Sequence, residues 1–315
     1  MTKKTILALG GAHIDRRGRI SGDTVPGASN PGSWFVEAGG GTFNAARNLC
    51  RLGHPVRLIS PRGGDGDGDI VAAAAEAAGV EDTPFIFLDR TTPSYTAILE
   101  RDGNLVIALA DMELYRLFSP RRLQQRAVRE AIAASDALLT DANLPAETIA
   151  AIADSSDRAS KPLAGIGISP AKVTRFENTL PKLAFLFMNE AEARALTGER
   201  PQDVRRWPAI LRGAGLAGGV VTRGREPAVA FDRHSTALLP PPPMETIGDV
   251  TGAGDALAAG FFSGWLSGKT LAEALRRGVA AAIVTVRCRL AVAENMNGET
   301  LDAALALVPE AEILS

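Results

Sequence analysis

The chain has 315 residues, 46% of them hydrophobic and 22% charged, with a formal net charge of −2. That length accommodates one large α/β domain or two small ones, and the near-neutral balance argues against a nucleic-acid or membrane-surface partner. Two cysteines and three scattered histidines argue against a disulfide framework and a zinc cluster. Lys3-Lys4 leads into only a few apolar residues before Gly10-Gly11, and no apolar run approaches membrane-spanning length, so the expected setting is cytoplasmic.

Thr5–Leu9 predicts a short buried strand ending at Gly10-Gly11. Asp15 follows. At the C-terminal edge of a parallel sheet a carboxylate faces the ligand crevice, although an Asp after a strand also fits a plain turn. Residues 16–36 lose helical periodicity and fill with Gly, Pro, Ser and Arg, reading as a loop or a small exposed sheet. Gly39-Gly40-Gly41 precedes a helix from about Thr42 to Leu52, packed through Ala45, Ala46, Leu49 and Cys50 and stopped by Gly53. The glycines permit close backbone approach, and Asn44 offers a donor and an acceptor, as a buried polyhydroxylated ligand requires. A glycine-rich turn with an Asn cap is the plainer alternative.

Val56–Ser60 reads as a strand, followed by a Gly/Asp loop and an Ala-rich helix over about 70–78. Asp65, Asp67, Asp69 and Glu76 imitate a calcium loop, but Ile70 stands where glycine is needed. Strands follow at 85–88, 94–100 and 104–110, the last two forming a hairpin over Asp102-Gly103. Ser119-Pro120 opens a helix to about Ala134, then come a strand at 137–140, a helix at 146–153 and strands at 163–168 and 183–188. Asn189 and Glu192 lie three apart at the start of the helix 191–197, on one face, which suits both ordinary capping and a metal-and-water site. A helix at 207–214 and strands at 219–222 and 228–231 precede a stiff proline connector at 240–243. The glycines at 213, 215 and 218 follow a helix and precede a strand, the wrong order for a dinucleotide site.

The octet Gly248-Asp249-Val250-Thr251-Gly252-Ala253-Gly254-Asp255 runs into the apolar helical stretch 256–266, whose Leu257, Phe261 and Trp265 form one stripe. Small residues before a helix let backbone N–H groups crowd around an anion, aided by the helix dipole. A carboxylate beside a bound phosphate is electrostatically awkward unless it has work to do. Accepting a proton from an attacking hydroxyl is the simplest such work. Strand and helix alternate for most of the length, which predicts a three-layer α/β/α core with a mostly parallel sheet. Segments 16–36 and 94–111 form a small β-sheet lid on this single domain, 1–315. No Gly-x-x-x-x-Gly-Lys-Ser/Thr occurs, which argues against a P-loop ATPase.

The octet resembles the C-terminal motif of the ribokinase-like (PfkB) carbohydrate and nucleoside kinases, Asp-Thr-x-Gly-Ala-Gly-Asp, with the Thr moved one place along. Gly39-Gly40-Gly41 with Asn44, Ala46 and Leu52-Gly53 resembles the family's N-terminal motif, and the loop Gly63–Gly68 its Gly-x-Asp-x-x-Gly. The resemblance implies that Asp255 is the catalytic base and that Gly252, Ala253 and Gly254 form the anion hole. It implies ATP and Mg2+ as cofactors, with Asn189 and Glu192 ordering Mg2+ through water, and Asn189, Thr222, Gly224, Gly252 and Gly254 contacting the nucleotide. Asp249 and Thr251 would hold a monovalent cation such as K+.

Within the family, the stretches 11–15, 29–32, 93–95, 108–112 and 141–144 resemble the pseudouridine kinases, with His13 in place of their Asn and Ile166-Gly167 in place of an Asp-Pro pair. By that resemblance Asp15, Gly40, Gly41, Asn44 and Asn143 hold ribose, and lid residues among Asn30, Ser94, Tyr95 and Asp111 read the base. The reaction implied is transfer of phosphate from ATP to the 5′-hydroxyl of pseudouridine. A ribokinase-type kinase for ribose, another nucleoside or a sugar acid is the alternative, and a non-catalytic nucleoside-binding protein a further one. The edges of a small lid need covering, so a homodimer through the lid is expected.

Overall fold

The computed structural model describes residues 3–244 and 248–314. Ten strands form the central sheet, and seven run parallel: 219–223, 185–189, 163–166, 137–141, 6–9, 56–59 and 81–82 in spatial order. Beyond 219–223, strands 226–231, 236–239 and 312–314 continue it antiparallel. The parallel strands Ile6–Leu9 and Ala137–Asp141 are buried throughout, which is why they read as unbroken apolar runs.

Apolar side chains fill both faces of the sheet. One face is covered by helices Gly41–Arg51, Gly66–Ala78, Ala253–Leu266, Leu271–Val286 and Gly298–Leu305. The other carries Arg126–Ala134, Ala146–Arg158, Glu190–Thr197 and Trp207–Gly213. The chain therefore has the three-layer α/β/α fold expected of it, with a separate small sheet. None of its described helices is long and apolar enough to cross a membrane.

Glycines on the facing helices Ala253–Leu266 and Leu271–Val286 mark close packing. A methyl on Gly260 would meet the Arg277 carbonyl at 2.6 Å, and one on Gly278 the Leu257 carbonyl at 2.8 Å. Phe261 and Trp265 pack edge-on against Phe185 of the sheet, at 4.9 and 5.1 Å between ring centres.

The small sheet has the order 32–39, 13–20, 94–99, 105–111. The small exposed sheet expected over 16–36 is formed by two antiparallel strands, His13–Ile20 and Gly32–Gly39, with a loop between them. Gly103, at φ 95°, makes the hairpin turn before Leu105–Asp111. Several helices differ from expectation: the one at Ala146 runs to Arg158, and Leu271–Val286 and Gly298–Leu305 have no counterpart in the sequence reading. The Ala-rich helix begins at Gly66, because the Asp65 carboxylate caps it by accepting from the Gly68 N–H at 3.0 Å. The helix opened by Pro120 stops at Leu123 and restarts at Arg126, because Gln125 takes an extended conformation.

Candidate active site

The C-terminal ends of the central strands open onto a cavity of about 460 Å³. Its wall includes Gly40, Gly41, Asn143, Asn189, Glu192, Thr222, Gly252, Gly254 and Asp255, together with His13 and Ile168. Nine of the residues singled out from the sequence thus share one chamber, although they span more than two hundred positions.

Asp255 occupies the first turn of helix Ala253–Leu266, where Gly252 caps the helix in the left-handed region at φ 77°. A side chain is impossible at Gly252, since a methyl there would lie 2.0 Å from the Ala291 carbonyl oxygen. Above Gly254 the space is open. Among the described residues the N–H groups of Gly254 and Asp255 have no backbone acceptor, whereas that of Ala253 donates to the Val250 carbonyl at 3.2 Å. The amides left free at this helix start are therefore those of Gly254 and Asp255, and the Ala253 amide is already engaged by the turn that leads in.

The orientation of Asp255 is set by a relay. Arg47 donates to the Ala38 carbonyl at 2.7 Å and to Asn44 Oδ1 at 2.6 Å, with its guanidinium over the Phe43 ring. With its oxygen taken, Asn44 turns its amide nitrogen to Asp255 Oδ2, at 2.8 Å. Burial drives the Asp255 carboxyl up from 3.8 to about 7, helped by the charges of Asp141, Glu192 and Asp15 and opposed by the Asn44 hydrogen bond. A carboxylate with that value can hold and release a proton near neutrality.

Two residues not assigned from the sequence complete this arrangement. Arg47 is one. Asp141, the fully buried last residue of strand Ala137–Asp141, is the other. Its carboxylate accepts from the backbone N–H groups of Gly11 at 3.2 Å, Thr42 at 2.8 Å and Asn143 at 2.9 Å, and so ties the first glycine turn to the second. Its position at a strand end was the available signal, the same one that singled out Asp15.

A methyl on Gly41 would meet Ile168 Cδ1 at 2.2 Å, Asp255 Oδ1 at 3.4 Å and Asp141 Oδ2 at 3.5 Å, so these groups converge on one point. Ile168 has φ 70°, and the Ser169 N–H donates to the Gly167 carbonyl at 2.9 Å across it, a strained γ-turn for a β-branched residue. This turn ends the strand at Ile166, two residues before its expected end.

The lid contributes less directly. His13 contacts the Tyr115 hydroxyl through Nδ1 at 2.9 Å and Asp15 Oδ1 through Nε2 at 3.3 Å. Burial raises the Tyr115 phenol well above its ordinary value, so it keeps its proton beside the His13 ring. Asp15 lies within lid strand His13–Ile20 and shares a sheet face with its partners Tyr95 and Glu37. Ser94 pairs with Asp111 and with Ile14, one residue out of phase, so Ser94 and Asp111 project from the opposite face. Asn30 is not brought to the cavity: its amide braces its own loop, through Val25 and the Ala28 carbonyl. Gly224, at φ 62°, makes the exposed turn after Thr222 and also lies outside the cavity wall.

Asn189 and Glu192 form a reciprocal cap. Glu192 accepts from the Asn189 N–H at 2.9 Å and from its side-chain nitrogen at 3.0 Å, and returns its own N–H to Asn189 Oδ1 at 2.9 Å. Burial raises the Glu192 carboxyl. It has no cationic partner among the described residues, which include no cluster of three metal-ligating side chains. A carboxylate so placed fits a hydrated divalent ion at one remove, since each oxygen keeps a lone pair for a metal-bound water.

The monovalent site does not fit. Asp249 Oδ1 is taken by the Thr251 N–H and hydroxyl at 2.9 and 2.8 Å, and Oδ2 by an Arg17 guanidinium nitrogen at 2.6 Å. The pair named for K+ already has a cation.

The sequence profile of the "pfkB family carbohydrate kinase" matches residues 3–296. The chain belongs to that family. A carbohydrate kinase from Agrobacterium tumefaciens has a similar solved structure, with a TM-score of 0.91 and 62% identity over 99% of this chain and 100% of its own. The pseudouridine kinase of Escherichia coli is 28% identical over 99% of both chains. A ribokinase of Arabidopsis thaliana, solved with ribose and ATP, shares the fold at a TM-score of 0.86 and 19% identity, over 96% of this chain and 99% of its own. The protein is thus a phosphotransferase with an alcohol as acceptor, of a family that uses ATP with a divalent metal.

Proposed function

We propose that this pfkB-family kinase transfers phosphate from ATP to the 5′-hydroxyl of pseudouridine. The observation that carries this reading is the match to a pseudouridine kinase along 99% of both chains. The acceptor hydroxyl would lie between Asp255 and the open floor above Gly254. Asp255 accepts its proton as the oxygen attacks the γ-phosphoryl group and the bond to the departing ADP breaks, and the N–H groups of Gly254 and Asp255 stabilise the charge on the transferring oxygens. Gly252 shapes the turn that aims them.

Bound with ATP, Mg2+ would neutralise phosphate charge, held through water by Asn189 and Glu192. Thr222 and Asn189, on adjacent strand ends, would flank the nucleotide. The ribose would be gripped by Gly40, Gly41 and Asn143 in the wall and by Asp15 behind His13, with Tyr95 on the Asp15 face of the lid closing over the base. We keep a second reading, a sugar acceptor, because the relative at 62% identity is described as a carbohydrate kinase.

The lid face opposite Asp15 supports a homodimer. Register aligns Trp34, Gly18, Ile98 and Ile107 in one row and Val36, Arg16, Thr96 and Leu109 in the next. Trp34, Ile107 and Leu109 are 62, 65 and 71% exposed, an apolar face that a second copy would cover.

A panel of pseudouridine, uridine, adenosine, ribose and 2-keto-3-deoxygluconate with ATP tests the assignment. Pseudouridine should give the highest kcat/KM by about tenfold or more, the spread expected when buried polar groups of the site are matched or left unpaired. A higher value for ribose or the sugar acid would replace it with the second reading. Sedimentation should give a dimer that Leu109→Lys converts to monomer.

A further inference from the structure

The phosphate loop is latched to the lid through charge. Arg17, on lid strand His13–Ile20, donates to Asp249 at 2.6 Å with one terminal nitrogen and to Glu37 with the other, and its guanidinium lies 4.8 Å from the centre of the Phe35 ring. Glu37 in turn accepts from the Ala291 N–H at 3.1 Å. Ala291 is the residue whose carbonyl leaves no room for a side chain at Gly252. The contacts close a ring through Arg17, Asp249, Gly252, Ala291 and Glu37.

Two carboxylates beside the incoming phosphates need a cation. Burial pushes the Asp249 carboxyl up, but the hydrogen bonds from Thr251 and Arg17 outweigh it and leave it below its ordinary value. Burial also raises Glu37, partly offset by the Ala291 N–H and by Arg17. A guanidinium suits this task, being permanently charged and forked to serve two acceptors at once. A hydrated alkali ion would need those same oxygens.

We propose that Arg17 is a built-in cation that replaces a monovalent metal at Asp249 and fixes loop 249–252, so that phosphoryl transfer needs no potassium. Arg17 is thereby a positioning residue, and because it comes from the lid, the loop is ordered when the lid is seated. Only the turnover arm of the test rests on the kinase reading above.

The test uses the full chain, wild type and Arg17→Ala, in potassium chloride and in choline chloride at equal ionic strength. Thermal unfolding without substrate is read first. Wild type should melt at one temperature in both salts. Arg17→Ala should melt lower in choline and regain part of the loss in potassium, because an ion that binds only the folded form raises its stability. Turnover should follow the same pattern, with wild type indifferent and the variant falling by about tenfold in choline and recovering in potassium.

Wild type stabilised or activated by potassium would overturn the proposal, as would an Arg17→Ala protein that ignores potassium in both readouts. Should Arg17→Ala fail to fold, the double variant Arg17→Met with Asp249→Asn, which needs no cation, should fold and ignore potassium. Its failure to fold, or a potassium response, would equally overturn the proposal. The melting arm needs no acceptor, so a wrong substrate leaves it standing.

Discussion

The cavity floor and the lid are built on opposite terms. On the floor every carboxylate is committed: Asp141 to three backbone N–H groups, Glu192 to the Asn189 cap, Asp255 to Asn44. Across the lid Asp15, Arg16, Arg17 and Glu37 are tied down by charge, while Trp34, Val36, Ile107 and Leu109 are exposed. On the function proposed above, the contrast puts preorganised charge where phosphate would move and leaves acceptor recognition to a thinner element. Floor substitutions should therefore change turnover and pH dependence, and lid substitutions KM and association.

The largest effect should come from the floor. Asp255→Asn keeps the shape and the Asn44 neighbour but cannot take a proton, so kcat should fall by about a thousandfold or more with ligand affinity retained. The same change should stabilise the protein. A carboxyl raised from 3.8 to about 7 by folding contributes stability that is complete below about 3.8 and lost as pH rises through about 7. At pH 8 the neutral amide is spared that loss, and calorimetry should show a Tm a few degrees higher. Near-normal turnover would remove Asp255 from the chemistry.

Asn44→Ala ranks next. The Asn44 amide is the one hydrogen bond holding the Asp255 carboxyl down, so its loss should move the acid limb of kcat upward from about 7. At neutral pH turnover should drop by roughly tenfold and recover partly in base. Arg47→Met should produce a weaker form of the same shift, because it frees Asn44 to rotate. An unmoved limb in both would show that the relay from Arg47 does not govern Asp255. On the lid, Tyr95→Ala should raise the KM for the acceptor several-fold with kcat little changed. A matching fall in kcat would blur the division of labour between the two regions.

How far the sequence discloses this site depends on the range of the interaction. Gly252 and Gly40 were legible because a positive φ is a local demand, and Asn189 with Glu192 because a cap lies within one turn. Asp141 and Arg17 were not, because they act on residues brought to them by folding: Gly11 and Thr42, and Asp249. Arg47 reaches Asn44 within one turn, but the consequence of that contact, the Asn44 bond to Asp255, exists only once the chain is folded. Arg17 also stood in a stretch without periodicity, where strand parity could not be read. Asp111 shows the same limit from the other side. Its hairpin was visible, but which face it takes depends on pairing with Ser94, and a register shift interrupts that hairpin at Ile98/Leu99.

Ile168 yields the smallest effect and the finest test of the floor. Its left-handed backbone is unfavourable for a β-branched residue by about 1 kcal/mol or more, so Ile168→Gly should relieve strain there even as it removes a half-buried side chain. The two terms oppose, and Tm should move by no more than a few degrees. The chemistry should move further. With the Ile168 methyl gone from the point it shares with Asp255 and Asp141, water reaches the carboxylate and burial raises it less. The acid limb should then shift below about 7 and kcat fall a few-fold, the opposite direction from Asn44→Ala. Opposite shifts from two neighbours of one carboxylate are what a merely loosened site cannot produce.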